Sequence, residues 1–250
     1  MARPVSSAPQ AIRLATPTHG APERAAVRSM FDRIAPRYDL LNRLLSAGTD
    51  VRWRRRAVDL LELPPPLRVL DLCTGTADLL VEALRRDQRS SGLGIDLSHG
   101  MLVRGATKLR RGGFERRGRL AGGDGERLPV PDEAFDAALV AFGIRNVGDP
   151  LAALREVRRA LRPGGRFVVL EFSMPRGLFG AAYRLYFRRL LPRLGGLLSD
   201  GSAYSYLPAS VARFPSPDAF AGLMREAGFT DVRWLLLTGG VACLHRGEKR

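Results

Sequence analysis

The chain has 250 residues, of which 40 are basic and 25 acidic, so its formal net charge is +15 at pH 7. With 45% hydrophobic residues it is long enough for one sizeable α/β domain with a large core. Two cysteines do not suggest a disulfide framework or a metal site. The charge favours anionic partners such as nucleic acid or an acidic membrane surface.

The first 22 residues are rich in Ala, Pro, Ser and Thr and lack the apolar core of a signal peptide, so we predict a disordered tail at 1–22. The most apolar stretch, 178–198, is interrupted by four arginines and predicts no membrane span. The rest, 23–250, is interpreted as a single domain. Its parts are N-terminal helices at 23–63, a cofactor-binding core at 67–172, and a substrate lid with a closing hairpin at 173–250.

Helical patterns precede the predicted sheet and can cover its ligand-binding edge. Residues 23–33 have helical spacing, and the run F-D-R-I-A-P-R-Y-D-L-L-N follows at 31–42. Tyr38 and Asp39 come shortly after Pro36 and are expected at a helix start. The local pattern favours a packed tyrosine and an N-cap aspartate there.

The run L-R-V-L-D-L-C-T-G-T-A-D at 67–78 predicts a strand closed by Asp71, a turn of small residues and a helix. This is the first βα turn of a doubly wound sheet. A dinucleotide-binding loop requires three spaced glycines, but only Gly75 is present, with Cys73 and Ala77 at the other two positions. An acid before such a turn resembles instead the first motif of class I S-adenosylmethionine-dependent methyltransferases.

The next predicted strand, 92–96, also ends on an acid, Asp96. A carboxylate can accept hydrogen bonds from both ribose hydroxyls of an adenosine ligand. The alternative is an N-cap, since Leu97 and Ser98 open a helix. The spacing from the first turn, about twenty residues, favours the ribose role.

A short strand at 119–121 precedes Asp124 and Gly125. If the ligand is an adenosine, the acid is placed to bind the adenine amino group, with the Gly125 backbone beside it. The alternative is an aspartate that only stabilises a turn, and the local sequence does not decide between the two.

Two further strands and a hairpin complete the sheet. The strand at 134–141 leads into F-G-I-R-N-V, which places Arg145 and Asn146 at a carboxyl end, over the same crevice. Residues 161–172 form a helix end, a glycine turn and a strand. The end of the chain predicts an antiparallel hairpin through Gly239-Gly240.

Three runs are specific in combination, namely A-F-G-I-R-N-V, R-P-G-G-R-F-V-V-L-E-F-S and T-G-G-V-A-C-L-H-R-G. With them the chain resembles the UbiE/MenG family of quinone C-methyltransferases from about residue 27 to residue 247. The resemblance implies a class I α/β fold, Rossmann-like, with a seven-stranded sheet between helices and S-adenosylmethionine as cofactor. The run D-L-C-T-G-T-A-D is nearer to the menaquinone branch, so we expect demethylmenaquinol as substrate, with a benzoquinol of ubiquinone synthesis as the alternative.

The resemblance also implies which residues form the site. Tyr38 is expected to close over the cofactor, and Arg145, Tyr38 and Asn146 are the expected catalytic residues. Arg145 is expected to stabilise the quinolate or to polarise a water, because an arginine is always protonated and cannot act as a free base. His245 is more typical of a structural position, and no metal is expected. The expected cofactor-binding residues are Asp71, Thr74, Gly75, Thr76, Asp96, Leu97, Asp124, Gly125 and Ala141.

The substrate implied by the resemblance is a polyprenylated quinol in the bilayer. We therefore expect a cytoplasmic enzyme, peripheral at the inner face of the cell membrane, with the aromatic and arginine-rich stretch 177–191 against anionic lipid. A homodimer is compatible with the sequence. A nucleic-acid methyltransferase would explain the charge, but target-base motifs such as N/D-P-P-Y are absent, so no nucleic acid is expected. The intact Arg145-Asn146 pair argues against a non-catalytic binding module.

Overall fold

The computed structural model describes residues 24–46, 48–175, 177, 180 and 202–250. Within these ranges the chain forms one mixed sheet of seven strands in the order β3-β2-β1-β4-β5-β7-β6. The strands are β1 Arg68–Leu72, β2 Ser91–Asp96, β3 Gly118–Gly122, β4 Phe135–Ala141, β5 Leu161–Phe172, β6 Thr230–Leu237 and β7 Ala242–Glu248.

Helices cover both faces of this sheet. They are α1 Arg24–Ile34, α2 Tyr38–Leu45, α3 Thr49–Asp59, α4 Asp78–Arg86, α5 His99–Arg111, α6 Pro150–Ala160, α7 Ser202–Arg213 and α8 Pro217–Glu226. Short 3-10 turns occur at Ala35–Arg37, Ile144–Asn146 and Thr238–Gly240. The predicted tail at 1–22 lies outside the described residues, as does nearly all of the predicted lipid-facing stretch 177–191.

The centre of the sheet is parallel. β1 pairs in parallel with β2 on one side and with β4 on the other, and β5 continues the parallel order beside β4. β7 is antiparallel to both β5 and β6, which confirms the predicted closing hairpin. The apolar runs of β1 and β4 follow from their position, because parallel strands are covered by helices on both faces.

Side chains alternate across each strand, so the sheet supports two separate cores. On one face Leu70 and Leu72 of β1 pack with Phe220 of α8 and the buried side of α6. On the other face Val69 packs with Trp53 of α3 and the buried side of α4. The two cores hold the carboxyl ends of β1, β2 and β4 together at one edge, where the cavity described below opens.

The structure corrects two local predictions. Tyr38 begins α2 as expected, but Asp39 is not an N-cap, because the 3-10 turn Ala35–Arg37 runs directly into the helix. The local sequence pattern predicts a helical piece only at 210–213, but the helix begins at Ser202 and has Pro208 inside it. The proline and the polar residues before it hid the start of this helix from pattern analysis.

Candidate active site

A cavity enclosing about 750 Å³ of empty space, open to solvent, lies at the carboxyl ends of β1, β2 and β4. The loops after β1, β2, β3 and β4 form its sides, and α1 and α2 lie over it. The predicted site residues that line this cavity are Tyr38, Gly75, Asp96, Leu97, Asp124, Gly125, Ala141 and Asn146.

The loop after β1 has an unusual backbone. Cys73, Gly75 and Ala77 all have positive φ angles, of 50°, 55° and 65°. Glycine adopts this left-handed region freely, whereas residues with a Cβ are strained there. The two positions at which the sequence departs from a glycine motif therefore keep the glycine backbone conformation, so the loop retains its shape.

Asp96 is held by the backbone on both oxygens. Oδ2 accepts a hydrogen bond from the Gly75 amide at 2.8 Å, and Oδ1 accepts one from the Ser98 amide at 2.8 Å. Burial raises the pKa of this carboxyl, against the effect of the two amide donors. Ser98 itself caps α5 through its hydroxyl, so the N-cap alternative for Asp96 is wrong. A carboxylate has about four acceptor positions, so Asp96 retains capacity for a ligand's hydroxyls.

Asp124 lies in the opposite wall. Its Oδ1 accepts a hydrogen bond from the Glu126 amide at 3.0 Å, so it stabilises a turn and lines the cavity at the same time. Glu126, which the sequence analysis did not select, accepts from the Gly148 amide at 2.7 Å and joins the loops after β3 and β4. A Cβ on Gly125 would lie 3.1 Å from Leu72 Cδ1, so a side chain there would crowd the wall.

Three predicted residues support the loop and do not line the cavity. Asp71 is buried and accepts hydrogen bonds from the Thr74 hydroxyl at 2.5 Å and the Leu80 amide at 3.2 Å. Burial raises its pKa to about 7. The Thr76 hydroxyl donates to Asp39 at 2.6 Å, away from the cavity. The sequence located this loop correctly, but it gave no information on the direction of these side chains.

α1 and α2 form the roof of the cavity, and contacts to two other parts of the protein hold them in place. Tyr38 lies over the loop after β1, since a Cβ on Gly75 would be 3.8 Å from Tyr38 Cε1. Phe31 packs edge-to-face on Tyr38 with a centroid distance of 6.2 Å. Asp32 accepts hydrogen bonds from the Ser98 hydroxyl at 2.6 Å and the Gly100 amide at 2.9 Å, which docks α1 onto the start of α5. No spacing in the sequence signalled this contact.

The sequence analysis expected Arg145 over the crevice, but in the structure its side chain is paired with other protein groups beside the cavity. Its guanidinium donates to Glu171 Oε1 at 2.8 Å and to the Phe142 carbonyl, and its Nε donates to the Ser210 hydroxyl at 3.3 Å. The side chains of Arg145 and Glu171 are 7% and 1% exposed. A buried carboxylate requires a counter-charge, so Glu171 holds the guanidinium beside the cavity and out of its lining.

Asn146 lines the cavity and leads to a residue that the sequence analysis missed. Its Oδ1 accepts a hydrogen bond from the Tyr206 phenol of α7 at 3.0 Å. Nothing in the local sequence connects these two positions, because their contact depends on the packing of α7. His245 is buried, with Nε2 3.0 Å from the Pro217 carbonyl oxygen, and burial lowers its pKa to about 4. It has the structural position expected for it.

Two further features bear on the site. Among the described residues, no group of His, Cys, Asp and Glu side chains is arranged to hold a metal ion. In the same part of the chain, no helix combines the length and apolar character needed to cross a bilayer.

Comparison with known proteins finds close relatives. The sequence model of the ubiE/COQ5 methyltransferase family matches residues 19–249. A protein named demethylmenaquinone methyltransferase from Thermus thermophilus is 52% identical over 222 residues, covering 88% of this chain and 100% of the relative. The ubiquinone/menaquinone biosynthesis C-methyltransferase UbiE of Syntrophotalea carbinolica is 50% identical over 221 residues, covering 88% of this chain and 92% of the relative.

Solved structures share the fold at lower identity. The [4+2]-cyclase SpnF has a TM-score of 0.70 at 18% identity, covering 91% of this chain and 97% of that one. An S-adenosylmethionine-dependent methyltransferase from Thermotoga maritima has a TM-score of 0.62 at 22% identity, covering 90% and 100%. These likenesses confirm the predicted class I, Rossmann-like fold.

Proposed function

Because the chain belongs to the ubiE/COQ5 methyltransferase family, we propose that it transfers a methyl group from S-adenosylmethionine to a ring carbon of demethylmenaquinol. The observation that carries this proposal is the cavity where Asp96, Asp124 and the loop at Gly75 meet beneath Tyr38. Relatives named demethylmenaquinone methyltransferase, in Thermus thermophilus at 52% and Deinococcus radiodurans at 47% identity, support the naphthoquinol as substrate.

The donor set of the cavity fits an adenosine ligand. Asp96 has acceptor capacity for the two ribose hydroxyls, and Asp124 with the Gly125 backbone fits the adenine edge. Gly75 carries no Cβ, so a ligand can approach the loop closely below the Tyr38 ring. When bound, S-adenosylmethionine supplies a methyl group on a positively charged sulfur. The residues that would hold it are therefore those of the loops after β1, β2 and β3.

The acceptor side of the cavity is formed by the end of β4 and by α7. A quinol ring carbon becomes nucleophilic when its hydroxyl loses a proton, so the protein must hold an oxyanion. Asn146, oriented by Tyr206, can donate a hydrogen bond to such an oxygen. Arg145 contributes its positive charge from behind the cavity, where Glu171 fixes its position. Positioning and electrostatics of this kind account for most of the acceleration in many enzymes.

The proposed substrate also implies where the enzyme acts. A polyprenyl tail would keep the quinol in the bilayer, so the protein would act at the inner membrane face from the cytoplasm. The net charge of +15 supports attraction to anionic lipid. A benzoquinol is the second candidate substrate, since the Syntrophotalea relative carries a name that covers both quinones.

A direct test uses the full chain with methyl-labelled S-adenosylmethionine and reduced short-chain acceptors. We expect label to enter demethylmenaquinol faster than the corresponding benzoquinol. A strain lacking the gene should accumulate demethylmenaquinone, and the gene should restore menaquinone. A strain with an unchanged quinone profile, together with no transfer to either quinol, would refute the proposal. Transfer to the benzoquinol alone would assign the second candidate.

A further inference from the structure

Lysine is rare in this chain, since Lys108 and Lys249 are the only two among 40 basic residues. Both ammonium groups lie among several oxygen acceptors. Lys249 Nζ donates to the Leu161 carbonyl at 2.7 Å and to Glu133 at 3.2 Å. An ammonium is a compact charge with three donors, whereas a guanidinium is a flat fork. Both lysines therefore lie where a compact tripod of donors suits the acceptors better than arginine does.

Lys108 of α5 joins three segments around the cavity. Its Nζ donates to Asp39 Oδ2 of α2 at 2.8 Å, to Thr76 Oγ1 of the loop after β1 at 3.0 Å, and to Asp78 Oδ1 at the start of α4. The Thr76 hydroxyl donates in turn to Asp39 Oδ1 at 2.6 Å. We call these four residues the Lys108 latch.

The latch can influence the shape of the cavity because two of its residues are sequence neighbours of cavity residues. Asp39 directly follows Tyr38, and Thr76 directly follows Gly75. The latch thus ties the residue after the roof tyrosine to the residue after the loop glycine. Tyr38 and Gly75 are the pair whose approach sets the height of the cavity, with Tyr38 Cε1 3.8 Å from a Cβ placed on Gly75.

A buried arginine next to the latch supports it, whereas side chains of the latch itself are partly exposed. Arg54, with a side chain 8% exposed, lies with Nη2 3.8 Å from Asp78 Oδ2 and is also paired with Asp50. The side chains of Lys108 and Asp39 are 26% and 40% exposed. Ion pairs exposed to this extent contribute little to the overall stability of a protein. Their effect is therefore expected on the placement of α2 more than on unfolding.

We propose that Lys108 is a positioning residue, which holds α2 and Tyr38 at a fixed height over the loop after β1 and thereby sets the affinity for S-adenosylmethionine. This inference rests on the proposed function for its ligand. Lys108 touches neither the cavity nor the reacting atoms; it acts through Asp39 and Thr76. A guanidinium at position 108 is longer and planar, so it cannot reach the three acceptors from the same point without moving α2 outwards.

The first test measures S-adenosylmethionine binding to the full chain by calorimetry. Lys108→Met and Lys108→Arg are both expected to weaken binding, by roughly fivefold to fiftyfold for the methionine variant. The matched control is Arg86→Met, which removes the ion pairs of Arg86 on α4 to Asp59 of α3 at 2.9 Å and to Glu82 of α4 at 3.2 Å, away from the cavity. The control should stay within about twofold of the parent. Affinity of Lys108→Met within that limit would overturn the proposal.

A double-mutant cycle distinguishes positioning from a general structural effect. In a Tyr38→Ala background, Lys108→Met should cost less than about twofold in affinity, because the side chain it positions is gone. If the loss is as large in this background as in the parent, Lys108 does not act through Tyr38 and the proposal fails.

A measurement without cofactor separates the latch from the proposed function. Amide hydrogen exchange in α2 should be faster in Lys108→Met than in the parent or in Arg86→Met. Unchanged exchange would contradict the latch even if the parent binds no S-adenosylmethionine, an outcome that by itself would refute the proposed function. If Lys108→Met fails to fold, Asp39→Asn takes its place. Asp39→Asn keeps the side-chain shape but removes the charge. As for Lys108→Met, amide exchange in α2 should be faster and S-adenosylmethionine binding weaker. If neither quantity changes, the proposal is overturned.

Discussion

Asp71 supports the cofactor loop with a carboxyl that is buried inside the sheet. Its Oδ2 accepts from Thr74 and from the Leu80 amide, so it fixes both the turn and the start of α4. Burial raises its pKa to about 7, and the charge of Asp96 acts in the same direction. At this position the folded protein therefore holds a proton that the unfolded chain releases well below neutral pH.

This difference predicts a pH-dependent contribution to stability. Between about pH 4 and pH 7 the folded state binds more protons at Asp71 than the unfolded state, so the free energy of unfolding falls as pH rises. Asp71→Asn cannot ionise, so its stability relative to the parent should rise from about pH 5 to about pH 8. Urea unfolding at both values tests this. A difference between the two proteins that does not change with pH would show that Asp71 ionises normally.

Gly143, in the loop after β4, touches the loop after β1. A Cβ at position 143 would collide with Cβ of Cys73. Gly143→Ala should therefore cost about 1–3 kcal/mol in unfolding free energy. In a Cys73→Gly background the colliding atom is absent, and the cost should fall below about 1 kcal/mol. Unfolding of the four proteins in urea gives both values; equal costs in the two backgrounds would contradict the contact.

Arg145 is the catalytic candidate whose surroundings differ most from the sequence-based expectation. Arg145→Lys keeps the charge but cannot serve Glu171, the Phe142 carbonyl and Ser210 with one planar group. We expect S-adenosylmethionine binding close to that of the parent and a kcat lower by about tenfold or more. Calorimetry and turnover on a short-chain quinol separate the two effects. Full turnover in the lysine variant would show that the planar group of Arg145 does not contribute to the reaction.

The elements of the cavity are joined to one another mainly at helix starts. Ser98 is the N-cap of α5, accepting from the Met101 amide at 3.2 Å, and it also donates to Asp32 of α1. The Ser98 hydroxyl therefore caps α5 and also docks α1 onto it. α8 begins with a comparable serine, Ser216, whose hydroxyl accepts from the Ala219 amide at 3.4 Å.

The two serine caps should contribute differently to stability. Replacing a serine N-cap by alanine costs about 0.5–2 kcal/mol. Ser98→Ala should lie at the upper end of that range, because Ser98 is buried and loses two contacts. Ser216→Ala should lie near the lower end, since its single bond is long. Thermal unfolding of both variants measures the two losses of stability. Equal losses would argue against the role of Ser98 in docking α1.

The sequence predicted those elements whose pattern follows directly from burial. Four of the five parallel strands were located to within one or two residues, helped by the apolar runs of strands covered on both faces. β5 begins at Leu161, before the glycine turn after which its strand was expected, so the predicted helix end there is wrong. Asp96 and Asp124 were found because acids at carboxyl ends of parallel strands share one edge. Side-chain direction and long-range partners were not predictable. The Arg145–Glu171 pair joins two segments that become neighbours only in the folded sheet, and the Lys108 latch joins three.

The excess of arginine over acidic residues gives the protein a positive electrostatic field at its surface. The buried guanidinium of Arg145 is paired with a carboxylate, but a net charge of +15 remains. Such a field attracts anionic surfaces over about one Debye length, and salt screens it. This is the physical basis for the proposed contact with anionic lipid.

Vesicle sedimentation across a salt series tests this contact. Binding to acidic vesicles should weaken steadily with salt, since each basic residue near the surface contributes about 1 kcal/mol. Replacing Arg184, Arg188 and Arg189 together by glutamine should weaken binding further and leave activity on a short-chain quinol intact. These arginines lie outside the described residues and are chosen from the sequence alone. A triple variant that sediments as the parent does would place the lipid contact elsewhere.

The order of the strands also constrains how the protein is made. β7 follows β6 in the chain but lies between β5 and β6 in the sheet. While the ribosome is still synthesising the chain, β5 therefore presents a bare edge until residues 242–248 have emerged, and β6 has no partner to pair with. Open strand edges are sites of association between nascent chains. A translation pause before position 242 would prolong the time for which the edge of β5 stays unpaired and open to such association.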